Sequence, residues 1–257
     1  AGIWLTLEGV TLDWSRSALL RGVVDVSELS AREIVLERIP ETEPAAPSPE
    51  AGTFALPDLP VSISIGRLAA ERIVLGEAVL GEALEARLEA SAQLAGGEGR
   101  TELLLERSDD GPAGRLDLTA AFANATGQFE LNLVAEEEAG GIAVEKLGIP
   151  GAPSARLAVQ GAGPITDFVA DVGLTTDGEE RLSGTVELIG AEDGSRGFDV
   201  DLAGDLAPLW MPDYAAFFGD SIVVQAAGAR SAEGVLRLDR LRLDTQAMDL
   251  SGQATLS

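Results

Sequence analysis

The residue types that usually carry chemistry are scarce in this chain. None of its 257 residues is histidine or cysteine, which removes histidine triads, thiolate nucleophiles and ordinary zinc sites together. Catalysis would have to rest on Asp, Glu, Ser, Tyr or the single lysine, Lys146. Two stretches set carboxylates side by side: "SDDG" at Ser108 to Gly111 and "AEDG" at Ala191 to Gly194. Such pairs can share a proton or hold calcium. Neither has the roughly twelve-residue ligand order of an EF-hand loop, and Asp-Gly is the pair that tight hairpin turns require. A third run, "EEE" at Glu136 to Glu138, reads as a solvated strand end. No catalytic, metal or cofactor site emerges from these residues.

Other motifs are equally thin. "GAGPIT" at Gly161 to Thr166 is rich in glycine, but it has Pro164 and lacks the third glycine of a dinucleotide fingerprint. "NAT" at Asn124 to Thr126 matches a glycosylation sequon, a pattern common by chance. The aromatic group Trp210, Met211, Tyr214, Phe217 and Phe218 could form a recognition surface or the core beneath a capping helix.

The elements that must position all of these read as strands. "VSISI" (Val61 to Ile65) is apolar at alternate positions. "LEARLEASAQL" puts Leu84, Ala86, Leu88, Ala90, Ala92 and Leu94 on one face, with Glu85, Arg87, Glu89, Ser91 and Gln93 on the other. Its Glu and Ala content suits a helix, but helical spacing would scatter the apolar residues all round, so the pattern outweighs propensity. The series continues through "TELLLER", "GRLDLTAAF", "QFELNLVAE" and on to "MDLSGQATL", with polar turns between. Turns at intervals of about 8 to 15 residues predict an antiparallel meander rather than βαβ units.

Three stretches interrupt the alternation. Pro40 to Gly52, "PETEPAAPSPEAG", is acidic and Pro-rich and reads as a mobile loop. Ala139 to Gly148 reads as a short helix stopped by Gly148, and Leu206 to Gly219 as a helix or two turns around Pro212. The expected organisation is one continuous segment over 1–257, with possible sub-units 1–138 and 149–257 joined by the helix 139–148.

Composition narrows the partners. The chain is 46% hydrophobic but only 4% aromatic, so its apolar surface is aliphatic rather than a stacking platform. A net charge of −25 makes nucleic acid a poor partner, because phosphate binding needs clustered Lys and Arg. It also opposes lying flat on an anionic bilayer. No apolar run reaches the roughly 18 to 20 residues that span a membrane. The chain opens at Ala1 almost directly into a strand pattern, as expected of a piece of something longer.

One phrase is written twice. "VSELSAREIVLERI" (26–39) returns as "IGRLAAERIVLGEA" (65–78), with Leu29, Ala31 and Ile34 to Leu36 matched by Leu68, Ala70 and Ile73 to Leu75. This predicts stacking of one supersecondary unit. With a dozen or more strands and two short helices, the sheet must fold on itself as a sandwich, barrel or solenoid, or curl into a trough.

Several phrases together resemble the TamB family, the inner-membrane subunit of the translocation and assembly module, within the AsmA-like bridge-like lipid-transfer group. They are "WLTLEGVTLDWSRSALLRG" (4–22), "LSAREIVLERIP" (29–40), "LPDLPVSISIGRLAAERIVLG" (56–76) and "GIPGAPSARLAVQGAGPITDF" (148–168). The resemblance covers most of the chain and is to an N-terminal-half segment. Phe168 stands where a Trp is expected. The family's membrane anchor and C-terminal domain have no counterpart here.

The resemblance implies an all-β fold: a long antiparallel sheet curled into a U-shaped trough with a hydrophobic interior. It implies a periplasmic segment, tethered to the inner membrane by a helix outside it, that carries phospholipid towards the outer membrane without a cofactor. A TamA-like outer-membrane barrel would be met through a region outside this segment. Carried over by face, the expected groove lining is Val61, Ile63, Ile65, Leu84, Leu88, Leu94, Leu103, Leu105, Leu116, Leu118, Phe129, Leu131 and Leu133, the alternative for each being a closed core. Glu85, Glu89 and Glu130 would face solvent. Three other readings stand beside the conduit: a β-templating chaperone for outer-membrane proteins, a closed structural spacer, and an enzyme.

Overall fold

The structure is a computed structural model that describes residues 4–39, 61–190, 195–210, 215–231 and 234–256. It is all-β and divides into two compact units, the first holding the strands up to residue 125 and the second those from residue 126. Residues 40–52 and the "AEDG" turn at 191–194 lie outside the described residues, as does Pro212. The predicted short helix at 139–148 is present and lies inside the second unit, since the units divide at the turn after residue 123.

The first unit contains β1 (Leu5–Glu8), β2 (Thr11–Ser15), β3 (Val23–Leu36), β4 (Ser62–Leu75), β5 (Leu84–Ala95), β6 (Glu98–Arg107) and β7 (Gly114–Ala123). Their order is β1-β3-β4-β5-β6-β7, with β2 also beside β3. β1 and β2 are two pieces of one edge strand. β1 pairs with the end of β3 and β2 with its beginning, and between them Gly9 takes a positive φ of 61°. A side chain on Gly9 would also collide with Arg32.

The repeated phrase explains itself here. β3 and β4 are parallel, and each residue of one lies beside its repeat partner in the other: Val24 by Ile63, Leu29 by Leu68, Ala31 by Ala70, Leu36 by Leu75. The expectation of a purely antiparallel sheet is thereby corrected to a mixed one. A parallel pair needs a crossover of about a dozen residues or more, and β3 ends at Leu36 while β4 begins only at Ser62. β3 shifts register against β2 between Asp13 and Trp14. The β4–β5 ladder bulges between Ile65 and Leu68 and again between Ala70 and Ile73. Bulges bend a strand and increase its twist, which curls the sheet.

The second unit contains β8 (Gln128–Glu137), β9 (Ala155–Pro164), β10 (Asp167–Thr176), β11 (Glu179–Gly190), β12 (Arg196–Gly204), β13 (Ile222–Arg230), β14 (Leu236–Asp244) and β15 (Asp249–Leu256). They form an antiparallel meander in sequence order. The sheet is open and curled in each unit; among the described residues no pairing joins its last strand to its first.

Helices are more numerous than the two expected. A 3₁₀ helix, Arg16–Arg21, joins β2 to β3, and α1 (Glu77–Leu80) joins β4 to β5. Neither is among the helices expected from the sequence. α2 (Ile142–Lys146) falls where a helix is predicted, and the 206–219 stretch holds α3 (Ala207–Trp210) and α4 (Ala215–Phe218), ending at Gly219 with φ of 73°. The "EEE" run is not a merely solvated end. Glu137 accepts hydrogen bonds from the Ala143 and Val144 N–H groups at 3.0 and 2.7 Å, capping α2, while Glu136 pairs with Arg156.

The two largest fully buried side chains are Val144 and Leu209. They meet with Ile149 over Ala155 and Leu174 of β9 and β10. A tight aliphatic core of the second unit is therefore a plug of α2 and α3 against β9 and β10. Among the described residues no helix is long and apolar enough to cross a membrane.

Candidate functional site

Because strand side chains alternate and cross-strand partners share a face, the registers assign every side chain to a face. In the first unit one face collects Val24, Val26, Leu29, Ile34 and Leu36 of β3 and Ile63, Ile65, Leu68, Ile73 and Leu75 of β4. From β5 it takes Leu84, Leu88 and Leu94, from β6 Leu103 and Leu105, and from β7 Leu116 and Leu118. Leu5, Leu7 and Leu12 extend it onto the edge. Nine of the predicted lining residues fall here, brought together from β4 to β7. Val61 stands at a bend just before β4 and has no register partner.

In the second unit Phe129, Leu131 and Leu133 share a face of β8. Through β9 to β12 it continues as Leu157 and Val159, then Val172 and Leu174, Val186 and Leu188, and Val200 and Leu202. These neighbours, and the β3 residues above, are absent from the predicted set although their alternation is equally regular.

The burial of these side chains is the informative quantity. All thirteen predicted lining residues are half-buried; none is fully covered and none fully exposed. Large aliphatics in a closed core are usually covered completely. Among the described residues seven of the thirteen buried apolar residues are alanines, and Leu188 remains 50% exposed. A second sheet or helix layer across mid-face would have covered the leucines. Among the described residues the sheet does not close on itself.

The opposite face is a ladder of ion pairs. In the first unit Arg67 bridges Glu28 and Glu89 at 3.0 and 3.2 Å, and Arg72 bridges Glu33 and Glu85. Glu106 lies between Arg87 and Arg115, which in turn reaches Asp117 at 3.0 Å. The hydrogen bond from Arg72 holds the Glu85 carboxyl below the usual carboxylate range. Such exposed pairs contribute little stability singly; they mark which side of the sheet meets water. Glu85 and Glu89 lie on that side as expected, engaged by arginine rather than free. In the second unit Arg240 grips Asp199 at 2.9 Å and Gln225 donates to Asp201 at 3.0 Å.

Of the two carboxylate pairs singled out by spacing, the described one serves a turn. Asp109 of the "SDDG" turn accepts from the Glu85 and Gly111 N–H groups at 2.8 and 2.7 Å and from Arg107 at 2.7 Å. Burial disfavours its charged form, but these donors outweigh it and hold the carboxyl below its usual range. Lys146 ends α2, exposed. The "GAGPIT" glycines lie within β9 rather than in a loop. A β-carbon on Gly161 would lie 2.6 Å from the buried Phe168 ring and 2.5 Å from the Val169 carbonyl oxygen. Gly161 thus makes room for Phe168, whose ring stands 5.0 Å from that of Phe129 at one end of the apolar face.

What this arrangement can do is bind hydrocarbon. It offers area without directional polar groups, so it favours apolar length rather than a particular molecule. The chain matches no family model, no curated protein and no solved structure.

Proposed function

We propose that this chain is a segment of a phospholipid conduit that holds acyl chains against its aliphatic sheet face, with the charged face turned to water. The observation that carries this reading is the half-burial, within the first unit, of a contiguous set of leucines, valines and isoleucines opposite an ion-pair ladder. Each acyl CH₂ kept from water is worth roughly 0.8 kcal/mol, so a free lipid crossing an aqueous gap faces a barrier on the order of ten to twenty kcal/mol. A continuous apolar face removes most of that barrier. Because its contacts are uniform and weak, it has no deep site in which a lipid would stall.

The resemblance to TamB-type proteins supports placing the segment in the periplasm. There it would serve outer-membrane biogenesis, with an inner-membrane tether and an outer-membrane barrel partner beyond its ends. The test is site-specific photo-crosslinking in bacterial cells. A photoreactive residue at Leu103, on the apolar face, captures phospholipid; one at its neighbour Glu102, on the opposite face, does not. Equal capture at both, or capture at neither, refutes the conduit.

A further inference from the structure

We infer that the 3₁₀ helix Arg16–Arg21 is a membrane-contacting wedge that docks on anionic phospholipid headgroups. Leu20 is 91% exposed and Leu19 44% exposed, while Ala18, in the same turn, is completely buried. A 3₁₀ helix has about three residues per turn, so anchoring Ala18 inward leaves Leu19 and Leu20 on the two outward sides. The anchoring is firm. Gly22 closes the helix with φ of 73°, its N–H bonded to the Ala18 and Leu19 carbonyls, and the Gly22 carbonyl accepts the Ser62 N–H at 2.9 Å. An adjacent leucine pair projecting from a fixed support is a costly feature unless it meets an apolar medium.

The charges around it are the second observation. In a chain of net charge −25, most arginines are engaged by carboxylates, as the ladder on the polar face illustrates. Arg16 and Arg21, which bracket the leucines, are exposed and have no ion-pair partner among the described residues. The closest carboxylates along the chain, Asp13 and Asp25, do not pair with them. The net charge opposes broad contact with an anionic bilayer, so the contact is local: two guanidinium groups without a carboxylate partner among the described residues stand beside two exposed leucines, the cations meeting phosphate and the leucines entering the acyl boundary. The helix also lies between β2 and β3, at the rim where the first unit's apolar face begins with Trp14, Val24 and Val26.

This inference stands apart from lipid carriage, since docking can be measured without transport. The experiment is vesicle flotation of the whole chain with phosphatidylethanolamine–phosphatidylglycerol vesicles and with phosphatidylcholine vesicles. Circular dichroism checks that Leu20→Glu and the double variant Arg16→Glu/Arg21→Glu keep the wild-type strand signal. The wild type is expected to float with anionic vesicles at low salt, and each variant to lose about ten-fold or more of the bound fraction. An absence of flotation, or equal flotation by the variants, overturns the wedge. Equal binding to phosphatidylcholine overturns the anionic assignment. A dimer that Leu20→Glu abolishes, with no vesicle binding, overturns the membrane in favour of a second copy as the occupant.

Discussion

Arg67 and Glu28 hold the same place in two copies of one phrase, 39 residues apart, and meet across the parallel β3–β4 pair with Nη1 3.0 Å from Oε1. Arg72 and Glu33 repeat the relationship five residues further on. In-register parallel stacking sets each residue beside its own duplicate, so identical charges would repel at every rung. Here one copy carries glutamate where the other carries arginine, and the duplicated unit can lie against itself.

The coupling between these side chains is predicted to be small and dependent on salt. Both are around half exposed, so a double-mutant cycle of Arg67→Ala and Glu28→Ala, read by urea denaturation, should give about 0.2–1 kcal/mol. High salt should erase most of it. Arg67→Glu, which sets three carboxylates together with Glu28 and Glu89, should be worse than Arg67→Ala.

Stability is predicted to be unevenly spread over the apolar residues. Leu209 is 1% exposed in the helical plug, so Leu209→Ala should cost about 3–5 kcal/mol. Leu88 is half-buried in an open face, so Leu88→Ala should cost about 1–2 kcal/mol. Equal costs, measured by chemical denaturation, would mean that the face is closed after all.

Gly161→Ala is predicted to destabilise the second unit by about 1–3 kcal/mol, because the new methyl overlaps the Phe168 ring and the Val169 carbonyl. Adding Phe168→Leu should not rescue it fully, since the carbonyl clash remains. Thermal melts of both variants read the difference.

Glu187 is predicted to make the second unit less stable as pH rises. Burial, then the hydrogen bond and charge of Asp167 and the charge of Asp199, push its carboxyl above the usual range. A raised folded-state value means that the favourable contribution is complete below the ordinary glutamate range and lost as pH climbs through the folded value. The advantage of Glu187→Gln in melting temperature should therefore grow as pH rises above the ordinary glutamate range. A gap independent of pH contradicts this.

Alternation made the strands legible: β5 forms over Leu84–Ala95 despite its helix-forming residues, because its apolar positions fit only a period of two. The nine lining residues of β4 to β7 share a face for the same reason. Periodicity has no direction, however, so the repeat announced stacking while its parallel sense stayed hidden in the long link between Leu36 and Ser62. The 3₁₀ helix and α1 span six and four residues, too few turns to generate a helical period. The cap that Glu137 places on α2 depends on a chain reversal that no local pattern records.

The most direct measurement of the central claim is native mass spectrometry with lipid extraction, on protein purified from bacterial cells in mild detergent. The open apolar face predicts copurified phospholipid that is lost in Leu88→Asp, while that variant stays folded. A wild-type protein that is monodisperse, stable and free of lipid would contradict the conduit.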